Sequence, residues 1–118
     1  MSTVEGFEVH TGDFFGFENL LDDEQRALVV RVRSFLDREV VPIANECWER
    51  AEFPFQVVDG LRELDIAGLM YGLSAHKPSR LLSGFLALEI CRADPSVNTF
   101  YGVHTGLAMG SVQRCGSD

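Results

Sequence analysis

The sequence predicts an all-α fold, a helical bundle of about four main helices, and three observations carry that reading. Apolar residues recur in steps of three and four through most of the chain, the period of a helix face rather than of a strand. Capping side chains and prolines stand where helices would start, as at Asp94-Pro95-Ser96. No strand alternation, hairpin dipeptide, phosphate-cradling glycine loop or internal repeat competes with this pattern.

Residues 1–19 mix acids and glycines with Phe7, Phe14, Phe15 and Phe17, too irregular for a helix and too aromatic for a free tail. An extended arm over a neighbouring surface is expected there, ahead of a domain over 20–118. Leu20-Leu21-Asp22-Asp23-Glu24 then supplies a cap, an acidic first turn and a leucine to staple the helix start. The apolar positions Leu28, Val32, Phe35, Leu36, Val40, Ile43, Ala44, Cys47 and Trp48 extend this first helix over several turns. Arg31, Arg38, Glu46 and Glu49 mark its polar face, with Arg33 and Asp37 at pairing distance. Pro42 removes a hydrogen bond inside the pattern, and a bend is expected because the apolar stripe resumes in phase.

Ala51-Glu52-Phe53-Pro54 breaks the first helix, and Val57, Val58, Leu61 and Leu64 predict a short second one over residues 55–64, terminated by Gly68. Residues 71–78 read as a loop. The third helix, around Leu81 to Cys91, is apolar nearly all round and belongs in the middle of a bundle. Asp94 caps a fourth helix with Pro95 at its first position, and that helix fades toward Gly116.

The fourth helix carries glycine at every fourth position, Gly102, Gly106 and Gly110. Residues four apart lie nearly over one another, so the missing side chains leave a groove for another helix or a slender ligand. Each glycine costs about 1 kcal/mol relative to alanine, so a stripe of them calls for a use.

Composition narrows the classes of function. Ten Lys and Arg against eighteen Asp and Glu give a net charge of −8, the wrong sign for nucleic acid or an anionic membrane. No apolar run approaches the roughly 18 residues that span a bilayer, and the first residues lack the basic start of a secretory signal, so a cytoplasmic protein without membrane insertion is expected. Cys47, Cys91 and Cys115 are odd in number and widely spaced, which suits reduced thiols. Neither they nor His10, His76 and His104 have metal-ligand spacing, so no metal is expected.

The ordered motifs resemble the N-terminal helical domain of acyl-CoA dehydrogenases. The similar segments are Asp22-Asp23-Glu24-Gln25-Arg26, Arg38-Glu39-Val40-Val41-Pro42-Ile43-Ala44 and Arg50-Ala51-Glu52-Phe53-Pro54. Residues 60–69 resemble the second helix of that family, and Glu89-Ile90-Cys91-Arg92-Ala93-Asp94-Pro95-Ser96-Val97 its E-x-x-R-A-D-x-S-V segment. Val103-His104-Thr105-Gly106-Leu107 and Gly116-Ser117-Asp118 fall where the family has V-Q-T/S and G-S/N-E/D. Each piece alone is a weak helical string, whereas the set in order covers the chain from about Asp13 to Asp118.

The resemblance implies α,β-dehydrogenation of an acyl-CoA thioester, in which a glutamate base takes the α-proton, the β-hydride passes to FAD, and electrons leave through an electron-transfer flavoprotein. It also implies a β-sheet domain that grips the flavin and a second helical domain that carries the base, in proteins roughly three times this length. The chain is therefore expected to be the N-terminal part of a longer enzyme or a truncated product. It would be inactive alone, hold no FAD by itself, and partner with the missing domains or further copies. No carboxylate has the motif context of the base, and Glu89 reads as helix surface or a structural ion pair.

By the same resemblance the fourth helix forms part of the acyl pocket, which puts His104 and Thr105 near the acyl tail, Ala108 one turn on, and Asn98 and Gly102 at the mouth or wall. A histidine on an apolar helix face is also commonly a satisfied core residue. Two departures from the family stand out. Residues 71–78 keep only one glycine of a P-E-x-x-G-G-x-G type loop. The subgroup closest at Val103 to Leu107 acts on glutaryl-CoA and has an arginine where this chain has Asn98, so a monocarboxylic acyl chain is expected. The alternative function is a non-catalytic helical interaction module that uses the same lobe to pack against another chain.

Overall fold

A computed structural model describes residues 13–117, and every regular element among them is helical. The main helices are α1 (Asp23–Glu39), α2 (Val41–Arg50), α3 (Val58–Glu63), α4 (Arg80–Ala93), α5 (Pro95–Gly102) and α6 (Met109–Cys115), with a π-helical segment, Val103–Ala108, joining the last two. Residues 1–12 of the expected extended arm lie outside the described residues. Its final part is not extended: Phe17–Leu20 is a 3-10 helix, anchored where the Asp13 carboxylate accepts from the Phe17 and Glu18 amides at 3.0 and 2.9 Å.

Asp22 starts α1 as the sequence predicts. Its carboxylate accepts from the Gln25 amide at 2.8 Å, and the Gln25 side chain accepts from the Asp22 amide at 3.1 Å, a complete capping box. Leu21 turns inward into the core while Leu20 stays outside. Leu28, Val29, Val32, Phe35 and Leu36 form the buried stripe of α1. They face Leu82, Phe85, Leu86 and Ile90 of α4, and Val57, Leu61, Leu64, Ile66, Leu69 and Val97 complete the core. Full burial of each such side chain contributes about 1.5–3 kcal/mol, so this seam supplies most of the fold's drive.

One polar group lies in the seam. The Glu89 carboxylate is fully buried, and its Oε1 accepts from Arg33 at 2.9 Å (Nε) and 2.6 Å (Nη2). Arg92 donates to Glu89 Oε2 at 3.1 Å and to Asp37 at 2.6 Å, tying α4 to α1. Glu89 is thus a structural ion pair rather than helix surface, and Arg33 is drawn inward from the expected polar face. A buried charge held by two guanidinium groups costs little as a set and much when one partner is removed.

Three expectations need correction. Pro42 divides the first helix rather than bending it: α1 ends at Glu39, Val40 links the two, and the Val40 carbonyl accepts from the Ile43 and Ala44 amides. The apolar stripe continues into α2 in the sequence, yet α2 has no buried residue and Trp48 is 66% exposed. The second helix is a 3-10 turn, Phe55–Val57, followed by α3, and it ends before Gly68. Asp65 takes the left-handed position after it (φ 55°), where its side chain accepts from the Ala75 amide at 2.7 Å. Such a local bond is what lets an aspartate occupy this region. The third helix is not enclosed either, since Leu88 of α4 is 47% exposed and Gly84 and Cys91 face outward. Gly60 lets α3 come close to α1, because a Cβ there would overlap the Phe35 ring.

Candidate functional site

Asp94 launches the candidate segment. Its buried carboxylate accepts from the Val97 amide at 2.9 Å, with Pro95 at the first turn as the sequence predicts. The ladder is α-helical at first, with the Val103 amide bonded to the carbonyls of Thr99 and Phe100. It then widens, and the Met109 amide reaches back five residues to the His104 carbonyl. The Thr105 carbonyl, which a plain α-helix would pair with Met109, accepts instead from the Tyr71 hydroxyl at 2.6 Å. A side chain inserted into the ladder is a known cause of such a wide turn.

The wide turn explains which positions face the body of the lobe. Val97 is buried and Tyr101, Thr105 and Met109 are half-buried, all at four-residue intervals. In a straight α-helix four-residue steps drift by about 40° each, and the inserted residue takes back about 100°. Tyr101 donates its hydroxyl to the Ile66 carbonyl at 3.1 Å, and burial raises its phenol above the usual range. Thr105 donates its own hydroxyl to the Tyr101 carbonyl at 2.8 Å.

The predicted site residues fall on different parts of this segment. Asn98 and Thr105 are half-buried, while Gly102, His104 and Ala108 are exposed. His104 is therefore not a core histidine. Its Nδ1–H donates to the Phe100 carbonyl at 2.7 Å, and its ring lies 4.2 Å from the Phe100 ring, which stacks on Phe53 at 4.7 Å. The glycine stripe splits in use. A Cβ on Gly102 or Gly106 would meet nothing within 4 Å, whereas one on Gly110 would stand 3.0 Å from the Tyr71 hydroxyl. Val103, Leu107 and Val112 are 44%, 67% and 71% exposed along the same segment. The result is an apolar helical surface with two side chains missing.

Sequence reasoning passed over Tyr71, Phe53 and Phe100. The four-residue spacing of the glycines is equally compatible with a plain α-helix, so the wide turn has no local sequence signal. Phe53 and Tyr71 act across distant parts of the chain, and no local pattern pairs them with residues 100–105. Among the described residues no group of His, Cys, Asp and Glu could hold a metal, and no helix is long and apolar enough to cross a membrane.

These elements define a helical lobe with a sealed α1–α4 seam and an open apolar surface along α5–α6. The sequence matches the family model for the acyl-CoA dehydrogenase N-terminal domain over residues 22–118, and the chain belongs to that family. The family is one of oxidoreductases that generally use FAD and act on acyl-CoA. No solved structure matches the chain.

Proposed function

We propose that the chain is the N-terminal lobe of a FAD-dependent enzyme that introduces an α,β double bond into acyl-CoA thioesters, inactive by itself. Its α5–α6 segment is one wall of the acyl-chain site. Gly102, His104 and Ala108 line the open side of that wall and Asn98 its edge, while Thr105 supports it from the side of the lobe, which spans residues 20–118. The observation that carries this reading is the open space over Gly102 and Gly106 beside exposed Val103 and Leu107. A slender methylene chain gains from such a surface because apolar area leaves water on both sides.

The described residues do not suit a flavin dinucleotide. A cleft of about 490 Å³ between α1 and α3 is open to solvent, and its lining sets Arg31 and Arg38 against Glu39 and Glu63, so it offers a diphosphate no net positive charge. Glu89 is committed to Arg33 and Arg92 and is no base. Flavin and base therefore come from elsewhere in the enzyme, and the work of this lobe is to hold the acyl tail and exclude water. With Asn98 in place of an arginine, the tail is monocarboxylic rather than the glutaryl type. An electron-transfer flavoprotein takes the electrons, in the cytoplasm.

Purification of the gene product that carries this lobe tests the reading. A yellow protein whose flavin absorbance bleaches with acyl-CoA is expected, and Gly106→Leu should move its preference toward shorter acyl chains. An unchanged preference in a folded Gly106→Leu enzyme would remove the wall role. The second reading, a non-catalytic interaction module, is favoured by the exposure of Trp48 (66%) and Phe55 (70%). A colourless protein that associates with rising concentration would support it.

A further inference from the structure

We infer that Tyr71 is the positioning residue of this wall: its hydroxyl holds the wide turn that aims residues 102–108. The geometry is specific. A wide turn leaves one carbonyl without its α-helical amide, and a half-buried carbonyl without a donor is costly. Here that carbonyl is Thr105, since the Met109 amide bonds to His104, and the Tyr71 hydroxyl supplies the donor at 2.6 Å. Tyr71 ends the 3-10 turn Leu69–Tyr71 and is held from behind, where Leu69 is buried in the core. On the other side Gly110 is buried and gives the hydroxyl its space. The donor is thus fixed by the core rather than by the helix that it acts on.

The consequence reaches the exposed face. If the turn closed to an α-helix, the Met109 amide would take the Thr105 carbonyl, and everything after it would rotate by about 100° relative to Asn98 and Gly102. Gly106, Leu107 and Ala108 would no longer keep their present alignment with Asn98 and Gly102. The Tyr71 hydroxyl acts on this face through the backbone carbonyl of Thr105.

Through-hydrogen-bond NMR couplings on the labelled 118-residue chain test this directly. In the wild type the Met109 amide should couple to the His104 carbonyl. In Tyr71→Phe that coupling should be lost and a coupling to the Thr105 carbonyl gained. Tyr101→Phe removes a neighbouring hydroxyl-to-carbonyl bond, to Ile66, and should leave the His104 coupling in place. Retention of the His104 coupling in Tyr71→Phe would overturn the inference. Should that variant not fold, the wild type still decides: a Tyr71 hydroxyl proton that exchanges as fast as in free tyrosine would overturn it equally.

The inference rests on the acyl-wall reading, and the two fail differently in the gene product. The ratio of octanoyl-CoA to butyryl-CoA turnover should change several-fold in Tyr71→Phe. A ratio that moves with Gly106→Leu but not with Tyr71→Phe would defeat the positioning role alone. A ratio that moves with neither, while the NMR coupling does shift, would defeat the wall.

Discussion

The α1–α4 seam and the α5–α6 segment are both apolar helical surfaces, yet the lobe treats them in opposite ways. The seam closes over Val29, Val32, Leu36, Leu86 and Ile90 and seals a charged carboxylate with two arginines. The α5–α6 segment keeps Leu107 and Val112 in solvent, spends two glycines on open space, and widens its ladder around Tyr71. Stability therefore resides in the seam. The second surface is costly in an isolated lobe, with about 1 kcal/mol for each glycine alone, a cost that the proposed role as an acyl-chain wall would explain.

The contrast is open to attack first at its charged centre. Glu89→Ala leaves Arg33 and Arg92 without their buried partner and should cost about 3–5 kcal/mol, read as a lower urea midpoint. A loss below about 1 kcal/mol would mean that the seam does not depend on this network. Next come matched leucine truncations. Leu36→Ala, at a fully buried position, should cost about 2–5 kcal/mol, whereas Leu107→Ala, 67% exposed, should stay within about 0.5 kcal/mol. Equal losses at both positions would erase the distinction.

The smallest expected effect concerns the segment before α1. Burial, and then hydrogen bonding to Asp13, raise the Glu18 carboxyl above its ordinary range, and its Oε2 has no partner among the described residues. The folded chain then keeps a proton that the unfolded chain releases. Stability from Glu18 is present at acid pH and is lost as pH climbs from the ordinary carboxylate value through the raised one. Glu18→Gln, neutral throughout, should flatten that slope and stabilise the lobe at neutral pH, as urea unfolding at two pH values would show.

Local signals made the framework legible before any coordinates. Asp22 with Gln25, and Asp94 with Pro95, act within three residues of themselves, so spacing alone identified the starts of α1 and α5. The stripe from Leu28 to Leu36 was equally plain. What periodicity could not say is whether a partner covers a stripe. The same pattern runs into α2, where Ile43 is only partly buried against the core and Trp48 stays exposed. The Arg33–Glu89 and Tyr71–Thr105 contacts join residues far apart in the chain, and no window of sequence holds both ends. Asp65 rather than Gly68 ends the second helix, in the left-handed conformation, because its side chain finds a donor in the returning loop. Of the candidate site, the segment and its glycines were readable, whereas their division into one packed and two open positions was not.

The central claim is that Gly102 and Gly106 are kept for an occupant and not for the fold. The double variant Gly102→Ala/Gly106→Ala tests it most directly, by thermal unfolding of the lobe together with acyl-CoA turnover of the gene product. Added methyl groups meet open space and gain helix propensity, so the account expects stabilisation of about 1–2 kcal/mol. It also expects reduced turnover of octanoyl-CoA relative to butyryl-CoA. A destabilised lobe, or a stabilised one with its chain-length preference intact, would contradict it.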